Sequence, residues 1–117
     1  MKEIDVTKIL FVCSANADRS PTAERIYKDR EGFEVKSAGI SRHAQVQVSA
    51  ELLEWADVIL CMEEWQKYSI QRTYAGIISD KEIGHLNVPD MYPYMYPKLI
   101  DLITEKVDAW LLEHQRV

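Results

Sequence analysis

No stretch of this 117-residue chain approaches the ~20 apolar residues that a membrane-crossing helix needs, so a helical membrane protein is not expected. It contains no repeat, no low-complexity tract and no linker, and the opening Met1-Lys2-Glu3-Ile4-Asp5 lacks the character of a signal peptide. Cysteine is scarce. Cys13 and Cys61 are too few and too far apart for a disulfide scaffold, which points to a reducing, cytoplasmic setting. Positive charge is in deficit as well: a formal charge of −5 gives no general attraction to nucleic acid or to an anionic membrane surface. Neither is expected as a partner. The three histidines, His43, His85 and His114, lack the spacing of a metal site, and no cluster of Asp or Glu completes one. They read as surface or capping residues, with no metal and no cofactor implied. With 47% hydrophobic residues the chain can bury one core and hardly two, so residues 1–117 are expected to form a single domain.

What the chain does have is Cys13-Ser14-Ala15-Asn16-Ala17-Asp18-Arg19-Ser20-Pro21, directly after the apolar run Ile9-Leu10-Phe11-Val12. A strand ending at a thiol, a tight loop and then a helix would aim backbone N–H groups and a positive helix end at one point, where a phosphate fits. A free thiol is mostly protonated at neutral pH, but N–H donors, a helix N-terminus and a guanidinium all favour the thiolate, the nucleophilic form. Arg19 can take two phosphate oxygens in its planar fork, with contacts that strengthen as charge develops on the transferring group. Lysine would not replace it. Ser14, Ala15, Asn16, Ala17, Asp18 and Arg19 form the expected phosphate-binding loop. Ser20 is placed to donate its hydroxyl to the sulfur, and Pro21 suits the first helical turn. Asn16 can brace the loop through its amide or by adopting left-handed geometry. A lone cysteine at a strand end is ordinarily core packing, as Cys61 is expected to be. Arg19 at the sixth position after Cys13, followed by Ser-Pro, sets Cys13 apart.

Apolar periodicity orders the rest. Residues 8 to 12 have the continuous hydrophobicity of a parallel strand covered on both faces. Ser20 to about Arg30 is helical in pattern, with Ala23, Ile26 and Tyr27 on one side and Ser20 as N-cap. Phe33 to Lys36 reads as a second strand, Ser49 to Trp55 as a short capped helix, Val58 to Met62 as a third strand and Glu63 to about Tyr74 as a helix. Ile83 to Val88 is the fourth strand, with Ile77-Ile78 competing. The closing helix runs from about Tyr96 to His114, repeating Leu99, Ile103, Val107 and Trp110 or Leu111 at helical spacing. The expected fold is α/β, in three layers: a central four-stranded parallel sheet, helices on both faces, and the phosphate-binding loop after the first strand. Its site lies at the carboxyl ends of the strands. Glu63 and Glu64 open a helix, where their charge suits the dipole, and need no catalytic role.

Cys13, Asn16, Arg19, Ser20 and Pro21 resemble the signature of the low-molecular-weight protein tyrosine phosphatases, Cys-x5-Arg-Ser at the end of the first strand. Ser37-Ala38-Gly39 is similar to that family's segment after the second strand, and Trp55-Ala56-Asp57-Val58-Ile59-Leu60-Cys61-Met62 to its third strand. The resemblance implies a metal-independent phosphomonoesterase working through a phosphocysteine intermediate on Cys13, with an aspartic acid from a distant loop protonating the leaving oxygen. Asp90, in Val88-Pro89-Asp90-Met91, matches that acid, although the family's Asp-Pro is here Asp-Met; locally, Asp90 also suits a turn or a helix cap. A carboxyl beside a dianionic phosphate is favoured in its protonated form, as a general acid requires. Tyr92, Tyr94 and Tyr96 alternate after it, and Tyr92 and Tyr94 would form a wall for an aromatic ring or else cover the sheet edge.

Two departures stand out. Only fifteen residues separate Gly39 from Trp55, fewer than relatives usually carry, which predicts a shallower or more open pocket. Many relatives have a second cysteine where this chain has Asp18. A carboxylate there opposes both thiolate and phosphate unless it points outward or pairs with a cation, and Asp18→Asn is expected to raise activity at neutral pH. The expected ligand is a phosphotyrosine protein or a small aryl phosphate, with vanadate or sulfate as mimics, bound by a monomer or weak dimer. The alternatives are a noncatalytic phosphate-binding or regulatory module and, less favoured because only Cys61 remains as a second thiol, an arsenate reductase.

Overall fold

The computed structural model describes residues 6–116; Met1 to Asp5, and with them the signal-peptide expectation, lie outside the described residues. Thr7–Cys13 forms β1, Phe33–Gly39 β2, Val58–Cys61 β3 and Glu82–His85 β4. Between and after them come α1 (Arg19–Tyr27), α2 (Ala50–Trp55), α3 (Glu64–Thr73), α4 (Ala75–Ile78) and α5 (Pro97–Glu113). The four strands pair in parallel in the order β2-β1-β3-β4.

The sheet is covered on both faces because β1 and β3 are apolar at every buried position and side chains alternate across a strand. Ile9, Phe11, Cys13, Val58 and Leu60 turn to one side, where Ala23 and Tyr27 of α1 and Leu99, Ile103, Val107 and Leu111 of α5 complete a core. Leu10, Val12, Ile59 and Cys61 turn to the other, onto Leu53 of α2, Ile70 of α3 and Ile78 of α4. Each such side chain contributes roughly 1.5–3 kcal/mol by leaving water. The alternation also puts Cys13 and Cys61 on opposite faces, both as free thiols. Burial among apolar groups pushes the Cys61 thiol up, out of the range where it would ionise. It packs the core, as expected.

Several boundaries move. Ile77-Ile78 is not a strand but α4, a single turn that seats Ile78 beneath the sheet. β2 continues three residues past Lys36, because Ser37, Ala38 and Gly39 keep pairing with Phe11, Val12 and Cys13. β4 stops at His85 rather than Val88: Asn87 turns into the left-handed region at φ 57°. The N–H groups of Leu86 and Val88 nevertheless still reach the carbonyls of Cys61 and Met62 at 2.9 and 2.8 Å. α1 ends at Tyr27, and its N-cap is Asp18 rather than Ser20, with no side-chain capping bond. Ser20 is inside the helix because its hydroxyl is engaged elsewhere. In α5 the fourth buried position is Leu111; Trp110 is only partly buried.

In this strand order the chain leaves β1 toward β2 on one side and later returns to β3 on the other. The carboxyl end of β1 is therefore the point where successive crossovers diverge and a crevice opens. Cys13 is there.

Candidate active site

The loop from Ser14 to Asp18 is held from outside by the segment that follows β2. Ile40, Ser41 and Gln45 donate their N–H groups to the carbonyls of Cys13, Ser14 and Ala15 at 2.9, 2.9 and 3.2 Å. With those carbonyls tied outward, the loop's N–H groups turn inward; among the described residues none of Ser14, Ala15, Ala17 and Asp18 has an acceptor for its N–H within the chain. The shortened stretch between Gly39 and Trp55 thus serves as the outer brace of the loop. The cavity enclosed is small, about 40 Å³, and is lined by Cys13, Ala15, Ala17, Asp18, Arg19 and Asp90. At about 10–15 Å³ for each water-sized body, that is room for one compact polyatomic anion rather than a whole substrate.

Asn16 sits at φ 54° in the left-handed region, which its short amide tolerates better than other residues. Its N–H points at Cys13 Sγ (3.3 Å), while Val46 N–H donates to its Oδ1 (3.1 Å). Asn16 Nδ2 is then the donor to both Ser20 Oγ (2.9 Å) and Ser37 Oγ (3.0 Å), and the Ser37 hydroxyl gives its proton to Glu24 Oε1 (2.6 Å). Because Ser20 accepts from Asn16, its own proton is left for Cys13 Sγ at 2.9 Å, with Ala38 O the longer alternative at 3.3 Å. Two donors therefore converge on the sulfur, an arrangement suited to a thiolate.

Arg19 is 2% exposed, and three of its guanidinium N–H groups are held by the chain itself. Nη1 donates to Glu63 Oε2 at 2.7 Å and to Val88 O at 2.8 Å, and Nη2 donates to Ser14 Oγ at 3.3 Å. The buried amide of Gln66 donates to the same Ser14 oxygen at 3.2 Å, and Gln66 also accepts the Glu63 N–H at the start of α3. The fork is thereby aimed along one direction, with Nε facing Asp90 Oδ1 at 3.8 Å. Asp90 itself is 66% exposed at the mouth.

The fold thus brings together Cys13, Ser14, Asn16, Arg19, Ser20 and Asp90. Asp18 lines the cavity too, and its Oδ1 accepts the backbone N–H of Tyr94 at 3.0 Å. Tyr92 is not a free wall: it packs against the core and stacks on Tyr96, ring centroids 5.6 Å apart. Tyr94 is half exposed. Of the histidines, His43 and His114 are exposed and His114 accompanies the end of α5, whereas His85, half-buried at the end of β4, faces Glu64 at 3.8 Å. A strand position packed beside α3 takes His85 out of the expected surface set. Four residues of the site were not anticipated. Glu24, Ser37 and Gln66 carried no local signal. Glu63 was assigned to the helix dipole alone, and the cue for more was its place directly after a strand ending, at the carboxyl end of the sheet where Cys13 lies.

The sequence pattern of the family described as low molecular weight phosphotyrosine protein phosphatase matches residues 8–46, which cover β1, the loop, α1 and β2. The probable low molecular weight protein-tyrosine-phosphatase EpsP of Ralstonia nicotianae is 26% identical, over 91% of this chain and 94% of its own. The chain is thus similar to the low-molecular-weight protein tyrosine phosphatases, by sequence pattern from β1 to β2 and to EpsP along most of its length. Among solved structures, Vibrio vulnificus Wzb in complex with benzylphosphonate superposes with a TM-score of 0.70 at 23% identity, covering 92% of this chain and 99% of that one. The YwlE arginine phosphatase from Geobacillus stearothermophilus superposes at 0.63 with 26% identity, covering 92% and 97%. The chain has the expected four-stranded parallel sheet with its loop after β1, a fold it shares with these structures. Among the described residues no helix is long and apolar enough to cross a membrane.

Proposed function

We propose that the protein is a cysteine-dependent phosphomonoester hydrolase of the protein tyrosine phosphatase type. The observation that carries this is the convergence of Cys13 Sγ, the unpaired loop N–H groups, Arg19 and Asp90 on one anion-sized cavity. A phosphate seated on the N–H groups and Arg19 presents its phosphorus to Cys13. The thiolate forms the S–P bond as the P–O bond breaks, and Asp90 gives its proton to the departing oxygen. Water next attacks the phosphocysteine, Asp90 takes its proton, and the sulfur leaves as a thiolate solvated by the Ser20 hydroxyl and the Asn16 N–H. Every step uses this chain's own groups and none is assigned to a metal.

Aryl phosphates are the proposed substrate class. The benzylphosphonate on Wzb, an aryl group one carbon from a phosphonate, supports it. A noncatalytic phosphate binder would need neither the thiol nor the acid at the mouth. Arsenate reduction relayed through Cys61 is disfavoured by that thiol's place on the opposite sheet face.

The test is hydrolysis of p-nitrophenyl phosphate over about pH 5 to 8 in the presence of a chelator. Cys13→Ser is expected to abolish turnover, and Asp90→Asn to lower it by about 10²-fold or more. Competitive inhibition by vanadate is expected as well. Tight vanadate binding without turnover by the native chain would instead identify a binding module.

A further inference from the structure

We propose that Asp18 is a positioning residue: it holds the segment that carries Asp90 against the first turn of α1, through the N–H of Tyr94. The inference rests on the phosphatase reading above and names a residue that sets its acid.

Asp18 follows the phosphate loop directly and lines the same cavity as Cys13 and Asp90. An anion site gains nothing electrostatically from a carboxylate, and this one does not cap α1 either. Its hydrogen bond is to a backbone N–H 76 positions away, Tyr94 N to Oδ1 at 3.0 Å. One turn further along α1, the Thr22 hydroxyl donates to Asp18 O at 2.6 Å, leaving its lone pairs to accept the N–H of Met95 at 3.0 Å. Met95 stands at φ 61°, in the left-handed region that a long side chain rarely adopts, and in that turn its N–H reaches Thr22. Two consecutive N–H groups of the segment after Asp90 are thus both received by the start of α1.

Little else restrains this backbone. The N–H groups of Met91 and Tyr96 bond only within the segment, to the carbonyls of Pro89 and Pro93 at 3.0 and 3.1 Å. Met91, Tyr94 and Tyr96 are exposed, and Tyr92 alone packs on the core. Asp90 lies between Val88, fixed by Arg19 and Met62, and this segment, fixed by Asp18 and Thr22. Where the acid stands over the leaving oxygen depends on both ends. A general acid displaced by about 1 Å loses much of its effect, and the loss is greatest for leaving groups that most need a proton.

Asp18 has two separable properties, an acceptor oxygen and a charge. Asp18→Asn keeps an acceptor for Tyr94 and removes the charge; Asp18→Ala removes both. The experiment measures kcat/KM at one pH on 2,4-dinitrophenyl, p-nitrophenyl and phenyl phosphate, a series of increasingly poor leaving groups. It uses the native chain, both Asp18 variants, Thr22→Val and Asp90→Asn.

For Asp18→Ala, the loss on phenyl phosphate is expected to exceed the loss on 2,4-dinitrophenyl phosphate by about tenfold or more, moving toward the steep dependence of Asp90→Asn. Thr22→Val should move the same way by a smaller factor. Asp18→Asn should keep the native leaving-group dependence while kcat/KM rises severalfold across the series. An equal loss on all three substrates in Asp18→Ala and Thr22→Val would overturn the proposal, since it signals damage to the phosphate loop rather than a displaced acid. If Asp90→Asn itself retains the native dependence, Asp90 is not the acid, and the underlying reading fails along with the proposal.

Discussion

Gly39 shows how closely single atoms decide this site. A Cβ added there would stand 2.5 Å from Ser14 O and 2.9 Å from Asn16 N, both backbone atoms of the phosphate loop. Neither can move without redirecting the N–H groups beside it. Gly39→Ala is expected to weaken vanadate binding and lower kcat/KM by about 10²-fold, while the overpacking costs roughly 1–3 kcal/mol of stability. An inhibition titration and a urea melt separate the two effects; unchanged vanadate affinity would show that the loop yields without losing its cradle. Asn16 teaches the same lesson from the sequence side. Its left-handed conformation and bracing amide were legible from residue type alone, since few other side chains tolerate that geometry while bonding locally. Its second partner, Ser37, was not legible, because Ser37-Ala38-Gly39 looks the same whether a hydroxyl faces the loop or solvent.

At the scale of elements, the contact of α1 with α5 is closed by a polar knot. The Tyr27 hydroxyl donates to Asp108 Oδ1 at 2.8 Å, and Arg30 Nη1 donates to the same oxygen at 2.7 Å. The hydrogen bond from Arg30 holds the Asp108 carboxyl below its usual range, with further lowering from Tyr27, while burial and then the Asp108 bond push the Tyr27 hydroxyl up. Asp108 therefore binds fewer protons folded than unfolded. Its contribution to stability is complete above the unfolded value near 3.9 and is lost as pH falls through the lower folded value. Arg30 and Asp108 are each 43% exposed, so screening by solvent limits the charge effect. Asp108→Asn, which still offers Tyr27 an acceptor, is expected to cost about 0.5–1 kcal/mol at neutral pH, a fall of roughly 2–4 °C in Tm, with the difference shrinking below about pH 4. Thermal melts at pH 7 and pH 3.5 check it; a difference that persists undiminished at the lower pH would assign the effect to packing. The helical repeat of α5 was readable because Leu99, Ile103, Val107 and Leu111 share one stripe. Its polar partner on α1 was not, because Tyr27 and Asp108 are 81 positions apart.

Across the whole molecule, α5 crosses to the far edge strand and seats there on a glycine. A Cβ at Gly84 would collide with the Trp110 indole, 3.1 Å from Cε2 and 3.3 Å from Cδ1. The indole has little room to retreat, because it stacks on His114 with ring centroids 3.7 Å apart. Gly84→Ala is expected to lower unfolding free energy by roughly 1–3 kcal/mol in urea, with the midpoint shifted and the slope preserved. Gly84 pairs with Leu60 on β3 and touches none of the site groups, so kcat/KM should hold. A parallel fall in activity would mean that the β4 edge and the cradle move as one body. The same architecture accounts for the separate fates of the two thiols. Pleating alone sends Cys13 and Cys61 to opposite faces, leaving one in a cradle and the other in a core.

The sequence by itself determined most element types, the parallel sheet and the loop at residues 14 to 18 between β1 and α1, because periodicity and a contiguous loop are properties of neighbours along the chain. Tertiary structure decided the partners. Arg19 is aimed by Glu63 and the Val88 carbonyl, 44 and 69 positions away, Cys13 is served by a relay from Glu24, and Asp18 is answered by Tyr94. Each of those contacts exists only once the crossovers have brought strand ends together, and a Glu opening a helix or an Asp closing a loop reads alike with or without them. The contact between Asp18 and Tyr94 is the clearest instance. The Asp18 side chain was in the sequence, but the N–H that occupies it belongs to a segment that only the folded chain places there.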